Sequence, residues 1–324
     1  MRSTCSLYID AGYLLASAAT RITGTSLRSG IHVEYAPLIS SLVDAAEARS
    51  GLPVLRVHWY DSARDGIPDC QQERIGELPK VKLRLGRFGY TGEQKGVDIR
   101  IGLDLVAHAR NGASDVFFLV SGDDDLTEAV EEAQVHGVQV VLLAVPTVGG
   151  KPHGVSRHLI RAADELDSID GAAVDAAVMK VDRQPVLAPA PVPAPRTPAV
   201  AAARPTARTP LDVATAAHPP AAPRPSSVLA YSVSTGSPAQ AQRGYEDVDR
   251  DDLIDEVVLR VLTSFRESAT PAGLQELQNA KPSIPRDIDR ALLLDASDVM
   301  QRYDLDERIR YRLRARFWEK YDES

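Results

Sequence analysis

Residues 115–145 read DVFFLVSGDDDLTEAVEEAQVHGVQVVLLAV, and this stretch decides the fold class. It begins with a short apolar run rich in Val and Phe, 116–120, which is typical of a buried strand. Helical periodicity follows over 126–136, and Gly137 ends that helix as a C-cap glycine does. A second apolar run, 138–145, is a second buried strand. The order strand, helix, strand predicts a β-α-β unit of a parallel sheet.

Three consecutive carboxylates, Asp123, Asp124 and Asp125, lie between the first strand and the helix. One aspartate would be explained by helix capping alone, because its side chain accepts hydrogen bonds from free N–H groups. Three ionised carboxylates repel one another, which favours a divalent cation site with the oxygen ligands that suit Mg²⁺ or Mn²⁺. Alternation predicts that Asp123 and Asp125 point together, while Asp124 faces away or caps the helix.

The rest of the first half repeats the same alternation of strands and helices. The first strand ends at Asp10, and a helix opens at Asp98, whose carboxylate lies in the first turn. Asp104, on the same helix, is either a peripheral acid or a solvated charge. The elements predict a doubly wound, mostly parallel α/β sheet of about five strands, followed by a short strand or turn at 166–170. The predicted strands are 6–9, 54–60, 81–85, 116–120 and 138–145.

Composition divides the chain of 324 residues into three parts. Residues 183–244 hold 13 of the 22 prolines, in runs such as PVLAPAPVPAPRTPAV, and contain too few large apolar residues to form a core. We therefore predict an α/β domain at 1–182, a flexible Pro/Ala-rich linker at 183–244 and a small helical domain at 245–324. The helical domain is predicted to be of winged-helix kind and to serve self-association or a protein partner.

The net charge of −8 argues against a general polyanion-binding protein, although local basic patches are compatible with it. The two cysteines, Cys5 and Cys70, show neither metal-ligand spacing nor a disulfide framework, which favours a reducing, cytoplasmic setting. The sequence shows no signal peptide and no apolar run of about 18 residues, so neither secretion nor membrane insertion is predicted.

Residues 6–170 resemble the NYN domain of the PIN-like nuclease superfamily, of the kind found in bacterial LabA-like proteins. The resemblance rests on LYID ending at Asp10, KGVD at 95–98, SGDDDL at 121–126 and the EEAQVHGVQVVLL that follows. It implies a PIN-like fold and a metal-dependent ribonuclease. The acidic cluster of the family falls on Asp10, Asp98, Asp123 and Asp125, which become the predicted catalytic and metal-binding residues. Many relatives carry an Asn shortly after the first Asp, where this chain has Ala11-Gly12-Tyr13.

The residues themselves point to the same chemistry. Acids at the carboxyl edge of a parallel sheet can hold one or two Mg²⁺ or Mn²⁺ ions, which stabilise the attacking and leaving oxygens of a phosphoryl displacement. Substrate phosphates need nearby cations, and Phe88 and Tyr90 can stack on unpaired bases. The basic residues near these aromatics could instead form the solvated face of an edge strand. The predicted nucleic-acid-binding residues are Lys80, Lys82, Arg84, Arg87 and Lys95.

The sequence therefore predicts a phosphodiesterase that cleaves single-stranded RNA with Mg²⁺ or Mn²⁺. The intact set of four aspartates favours this enzyme, whereas the missing Asn favours a catalytically weak NYN domain that acts as an RNA-binding or regulatory adaptor. A phosphatase for small phosphoesters is a third reading, but the chain shows no clear cap insertion. A basic stripe on the last helix, at 308, 312, 316 and 320, could bind RNA or be a solvated face.

Overall fold

The computed structural model describes residues 3–63, 66–87, 96–182, 245–302 and 305–323, with the backbone alone at Arg87 and at 245–249. The predicted linker, Lys95, Phe88 and Tyr90 lie outside the described residues. A six-stranded sheet forms the centre of the N-terminal part, and a two-stranded ribbon stands beside it. The strands are β1 (Cys5–Asp10), β2 (Ile31–Val33), β3 (Val54–Ala63), β4 (Val81–Arg87), β5 (Val116–Val120), β6 (Gln139–Ala144), β7 (Glu165–Ser168) and β8 (Val178–Lys180).

Helices cover both faces of the sheet and form the C-terminal part. Among the described residues, 3₁₀ turns at Arg28–Gly30 and Asp124–Leu126 precede β2 and the helix Thr127–Val135. None of the helices in the described residues combines the length and the apolar character needed to cross a membrane. The helices are α1 (Ala11–Thr23), α2 (Tyr35–Ser50), α3 (Cys70–Gly76), α4 (Val97–Arg110), α5 (Thr127–Val135), α6 (Arg157–Ala162), α7 (Gly171–Ala177), α8 (Tyr245–Ser268), α9 (Pro271–Ala280), α10 (Arg286–Val299) and α11 (Glu307–Glu323).

The sheet has the order β4-β3-β1-β5-β6-β7, with every neighbouring pair parallel. The predicted α/β class and mostly parallel sheet are confirmed. The sheet has six strands because residues 165–168, predicted as part of a strand or turn, pair with β6. The antiparallel ribbon of β2 and β8 was not predicted, since three residues in each strand are too few to show a period.

Strand β1 lies at the centre of the core, and all six of its residues are buried. Its side chains alternate between two apolar clusters, one on each face of the sheet. Leu7 and Ile9 lie in the cluster that includes residues of α1 and α2. Tyr8 lies in the other cluster, with residues of α4 and α5. A central strand that is buried on both faces explains why its sequence is a nearly continuous apolar run.

The four C-terminal helices pack around a third apolar cluster, to which Leu27 of the N-terminal part also belongs. Leu27 is fully buried, and the backbone N–H of Ser26 donates to Asp295 Oδ1 on α10 at 2.9 Å. The α/β part and the C-terminal helices therefore belong to one compact unit. The exact domain boundaries and the winged-helix relationship stay predictions.

The last helix, α11, buries the apolar side of its surface, including Leu313 and Phe317. Its basic side lies towards the acidic first turns of α8. Arg312 pairs with Asp251, and Arg316 pairs with Asp255. The arginine stripe is therefore largely neutralised within the C-terminal helices.

Candidate acidic site

Two of the predicted acids leave neighbouring strands at the same edge of the sheet. Asp10 is the last residue of β1, and Asp123 follows β5 after two small residues. The strands are paired in register up to Ile9 and Val120. The chain order of the strands reverses between β1 and β5, and a reversal of this kind opens a crevice at the carboxyl edge of a doubly wound sheet. The two carboxylates therefore flank the position where such folds bind ligands.

Asp10 is buried, with 7% of its surface exposed, and it is the N-cap of α1. Its Oδ1 accepts a hydrogen bond from the backbone N–H of Gly12 at 2.8 Å. Burial raises the pKa of the Asp10 carboxyl, and the guanidinium of Arg290 is the strongest opposing influence. The chain thus places a carboxylate in a desolvated position, which is costly without a cation nearby.

Asp98 lies in the first turn of α4 and shares the electrostatic field of the other two acids. Its pKa is raised to about 6, mainly by burial and additionally by the charges of Asp10 and Asp123. Like charges act this way only when the carboxylates are near one another. Asp10, Asp98 and Asp123 therefore influence one another electrostatically, and their role as a joint metal site stays a prediction.

The three acids of the triple, Asp123 to Asp125, have different environments. Asp123 caps the 3₁₀ turn, where its Oδ1 accepts from the backbone N–H of Asp125 at 3.1 Å. The side chain of Asp125 is exposed, and Asp125 is not among the charges that raise the pKa of Asp98. Asp124 bonds to the hydroxyl of Ser156 and lies 3.2 Å from Nδ1 of His158. The role of Asp125 as a ligand stays a prediction.

A loop after β6 supports the turn that carries these acids. The backbone N–H of Ser156 donates to the carbonyl oxygen of Gly122 at 3.0 Å. A Cβ at Gly122 would overlap the carbonyl of Gly154, so only glycine permits this close approach. Sequence reasoning treated Gly122 as a turn residue and did not find the loop that packs against it.

Carboxylate oxygens are the donors that Mg²⁺ and Mn²⁺ prefer, so the chemistry of Asp10, Asp98 and Asp123 fits such a cation. Among the residues that the structure describes, no group of three or more His, Cys, Asp or Glu side chains has metal-holding geometry. Positive charge at the acids comes from Arg290 of α10. No motif in the sequence marks this residue, because it lies far along the chain from Asp10.

Two of the predicted basic residues, Lys80 just before β4 and Arg84 within it, lie beside acids of other elements, and their role in nucleic-acid binding stays a prediction. Lys80 Nζ donates to Glu47 Oε1 at 3.1 Å, and Arg84 Nε lies 3.1 Å from Asp104 Oδ2. Asp104 also accepts from the hydroxyl of Tyr60 at 2.9 Å, so it is a peripheral, structural acid rather than a solvated charge. The side chain of Arg87, like Lys95, lies outside the described residues.

Lys82 and Arg84 line a cavity of about 420 Å³ on the sheet face that α4 covers only in part. Tyr8, His58 and His108 form its aromatic wall, and the rings of His58 and His108 have centroids 4.7 Å apart. Burial lowers the pKa of His58 to about 3, and His108 acts in the same direction. His58 is therefore a neutral, buried group, and burial also lowers the pKa of His108.

Three comparisons with known proteins found similar sequences and structures, and one of them shows the family. The sequence is 36% identical over 100 residues to the uncharacterized protein y4oD of Sinorhizobium fredii, a match that covers 31% of this chain and 47% of that protein. The chain thus spans about half the length of this curated relative. A protein of unknown function from Vibrio parahaemolyticus, VPA0982, has a crystal structure with a TM-score of 0.38 and 20% identity, covering 52% of this chain and 94% of its own. The sequence model of the NYN domain matches residues 5–170, just over half of the chain. The protein is therefore a member of the NYN domain family, a nuclease-type domain of the PIN-like superfamily.

Proposed function

We propose that this protein is a phosphodiesterase that cleaves single-stranded RNA with the help of Mg²⁺ or Mn²⁺. The proposal is supported by the NYN domain match, by Asp10 and Asp123 at the carboxyl ends of the strands that flank the switch point, and by the influence of both charges on Asp98. Asp125, one residue into the following turn, is proposed as a fourth, outer ligand. A cytoplasmic location, predicted from cysteine usage, belongs to the same proposal.

Three aspartates would hold the cation, and each is positioned by its own element. Asp10 is fixed by the N–H of Gly12, and Asp123 by the turn that it caps. A divalent ion bound there would neutralise the charge that develops on the phosphoryl oxygens and lower the pKa of bound water. The carboxylate of Asp98, in the first turn of α4, would be the third ligand.

Desolvation is the protein's main contribution to this chemistry. Asp10 is buried, and the apolar cluster of β1 and β5 lies directly below it. Electrostatic interactions in such a dry site are stronger than in water, so a cation and a phosphate are both held more tightly. The same effect strengthens the repulsion between the carboxylates and a phosphate, so a bound cation would be needed to offset it.

Cleavage of a labelled single-stranded RNA tests the proposal directly. We expect cleavage with Mn²⁺, none with EDTA, and a loss of at least about a hundredfold in Asp123→Asn, which corresponds to about 3 kcal/mol of transition-state stabilisation. Asp44→Asn, an exposed aspartate on α2, is the matched control and should cleave normally. Titration calorimetry should show weaker Mn²⁺ binding by Asp123→Asn. Equal cleavage by wild type and Asp123→Asn would refute the proposed site.

The second candidate function is an RNA-binding or regulatory adaptor with little catalytic power. It is favoured by Ala11-Gly12-Tyr13, which lacks the Asn of many relatives, and by the cationic Arg290 beside Asp10. The same assay separates the two, because an adaptor binds the RNA in gel-shift experiments but leaves it intact with Mn²⁺. Self-association through the C-terminal helices is proposed for either function, and light scattering on the full chain tests it.

A further inference from the structure

Three arginines from distant parts of the chain meet beside the acidic site. Arg28 lies in the 3₁₀ turn after α1, and Arg286 and Arg290 lie one helical turn apart on α10. Residues at this spacing share one face of a helix. Arg28 and Arg286 both lower the pKa of Arg290, after the larger effect of its burial, whereas Asp10 and Asp98 raise it. The three guanidinium groups and two carboxylates therefore form one electrostatic group.

The contact at Gly12 fixes where the guanidinium of Arg290 lies. A Cβ built on Gly12 would stand 3.0 Å from Arg290 Nη2 and 2.9 Å from Asp10 Oδ1. The guanidinium thus lies over the first turn of α1, close to the carboxylate that caps this helix. A side chain at position 12 would take up this space. The C-terminal helices thus supply a cationic group beside a carboxylate of the N-terminal part.

The position of α10 is built into the core of the protein. The Ser26 N–H donates to Asp295 on α10, the Thr25 hydroxyl donates to Ser264 Oγ on α8 at 3.3 Å, and Leu27 is fully buried in the helical cluster. Buried contacts of this kind cannot be released without exposing apolar surface and polar groups. Arg290 is therefore a fixed part of the site and not the tip of a detachable lid.

Guanidinium groups are well suited to phosphate, because their N–H groups form a planar fork that binds two oxygens at once. Three guanidinium groups near one another concentrate positive charge beside the acids, and positive charge there attracts the phosphates of a nucleic acid. We propose that Arg28, Arg286 and Arg290 form a phosphate subsite, which binds a backbone phosphate of single-stranded RNA next to the scissile bond. The subsite rests on the proposed function for the identity of its ligand, and it gives the C-terminal helices a part in substrate binding.

The test uses the full-length protein and two glutamine variants, Arg286→Gln and Arg290→Gln. Binding of a fluorescein-labelled single-stranded RNA is measured by anisotropy in EDTA at several KCl concentrations, so that the readout does not depend on cleavage. We expect each variant to bind about tenfold more weakly and the slope of log K against log [salt] to fall by about 0.7 for each lost phosphate contact. With Mn²⁺ present, KM should rise more than kcat falls.

Arg302→Gln is the matched control, since Arg302 is exposed and follows the same helix. Arg290→Lys keeps the positive charge but loses the planar guanidinium group, so its RNA affinity should lie between those of wild type and Arg290→Gln. Circular dichroism shows whether Arg290→Gln folds. If it does not, the double variant Arg28→Gln/Arg286→Gln replaces it in the binding experiment, because both of these arginines are only half-buried.

The outcomes separate the subsite from the proposed function. Unchanged RNA affinity and salt slope in Arg286→Gln and Arg290→Gln overturn the subsite, even if wild type cleaves RNA and Asp123→Asn does not. Tighter RNA binding or faster cleavage by these variants also overturns the subsite, because the arginines would then hinder RNA binding instead of supporting it. Arginine-dependent binding without any cleavage by wild type keeps the subsite and rejects the nuclease.

Discussion

Replacement of Asp295 by Asn should stabilise the protein in a pH-dependent manner. Asp295 lies on α10, is buried with 6% of its surface exposed, and accepts the Ser26 N–H at Oδ1. Its Oδ2 has no hydrogen-bond partner among the described residues. Burial raises the pKa of this carboxyl to about 6, although the hydrogen bonds from Ser26 oppose the shift.

The magnitude follows from the difference between the folded and unfolded pKa. The folded value of about 6 exceeds the ordinary value of 3.8 by about two units, which corresponds to about 3 kcal/mol. Because the folded pKa is raised, the folded protein holds the proton more tightly than the unfolded chain between pH 4 and 6. The stabilising effect of this proton is fully present below pH 4 and is lost as the pH rises through 6. Asn resembles the neutral acid, so Asp295→Asn should gain about 1–3 kcal/mol at pH 8, after the cost of one buried N–H group, and little at pH 4.

Urea unfolding of wild type and variant at pH 4 and pH 8, followed by circular dichroism at 222 nm, measures this difference. Comparing the two proteins at each pH cancels the contributions of all other titrating groups. Asp298→Asn, an exposed aspartate on the same helix, should change the free energy of unfolding by less than about 0.5 kcal/mol at either pH. An Asp295→Asn variant that is no more stable than wild type at pH 8, or equally stabilised at both pH values, would refute the reasoning.

Three further predictions concern packing and charge. Leu27→Ala should lower the free energy of unfolding by about 2–5 kcal/mol in urea titrations, because it leaves a cavity where the two parts of the protein meet. Gly122→Ala should lower the free energy of unfolding by about 1–3 kcal/mol and abolish RNA cleavage. The reason is that the added Cβ would displace the carbonyl of Gly154 and with it the turn before Asp123. A melting temperature equal to that of wild type would contradict this prediction. Arg316→Gln should cost only about 0.5–1 kcal/mol, and less at high salt, because its ion pair with α8 is partly exposed.

Much of the α/β architecture was readable in the sequence, because local patterns decide it. A strand that is apolar on both faces, such as 116–120, is stable only when both faces are buried. A helix often ends at a residue with left-handed backbone, and Gly137, with a φ of 81°, adopts that conformation readily. Acids that follow such strands must lie at the carboxyl edge of a parallel sheet. The sequence therefore predicted that Asp10 and Asp123 lie at one edge, and the order of the strands places them at the switch point.

Contacts between residues far apart in the chain were decided only by the tertiary structure. Lys80 and Arg84 looked like a basic rim, but Glu47 and Asp104 pair with them from other elements. Arg290 shows no motif, and its place over Gly12 depends on how α10 packs against residues 25–27. Periodicity and capping arise from neighbours within one turn or one strand, so the sequence by itself determined the elements, the sheet and the edge that carries the acids. Which cationic side chains lie beside those acids depends on packing between elements that are far apart in the sequence. No local sequence pattern indicates such long-range contacts.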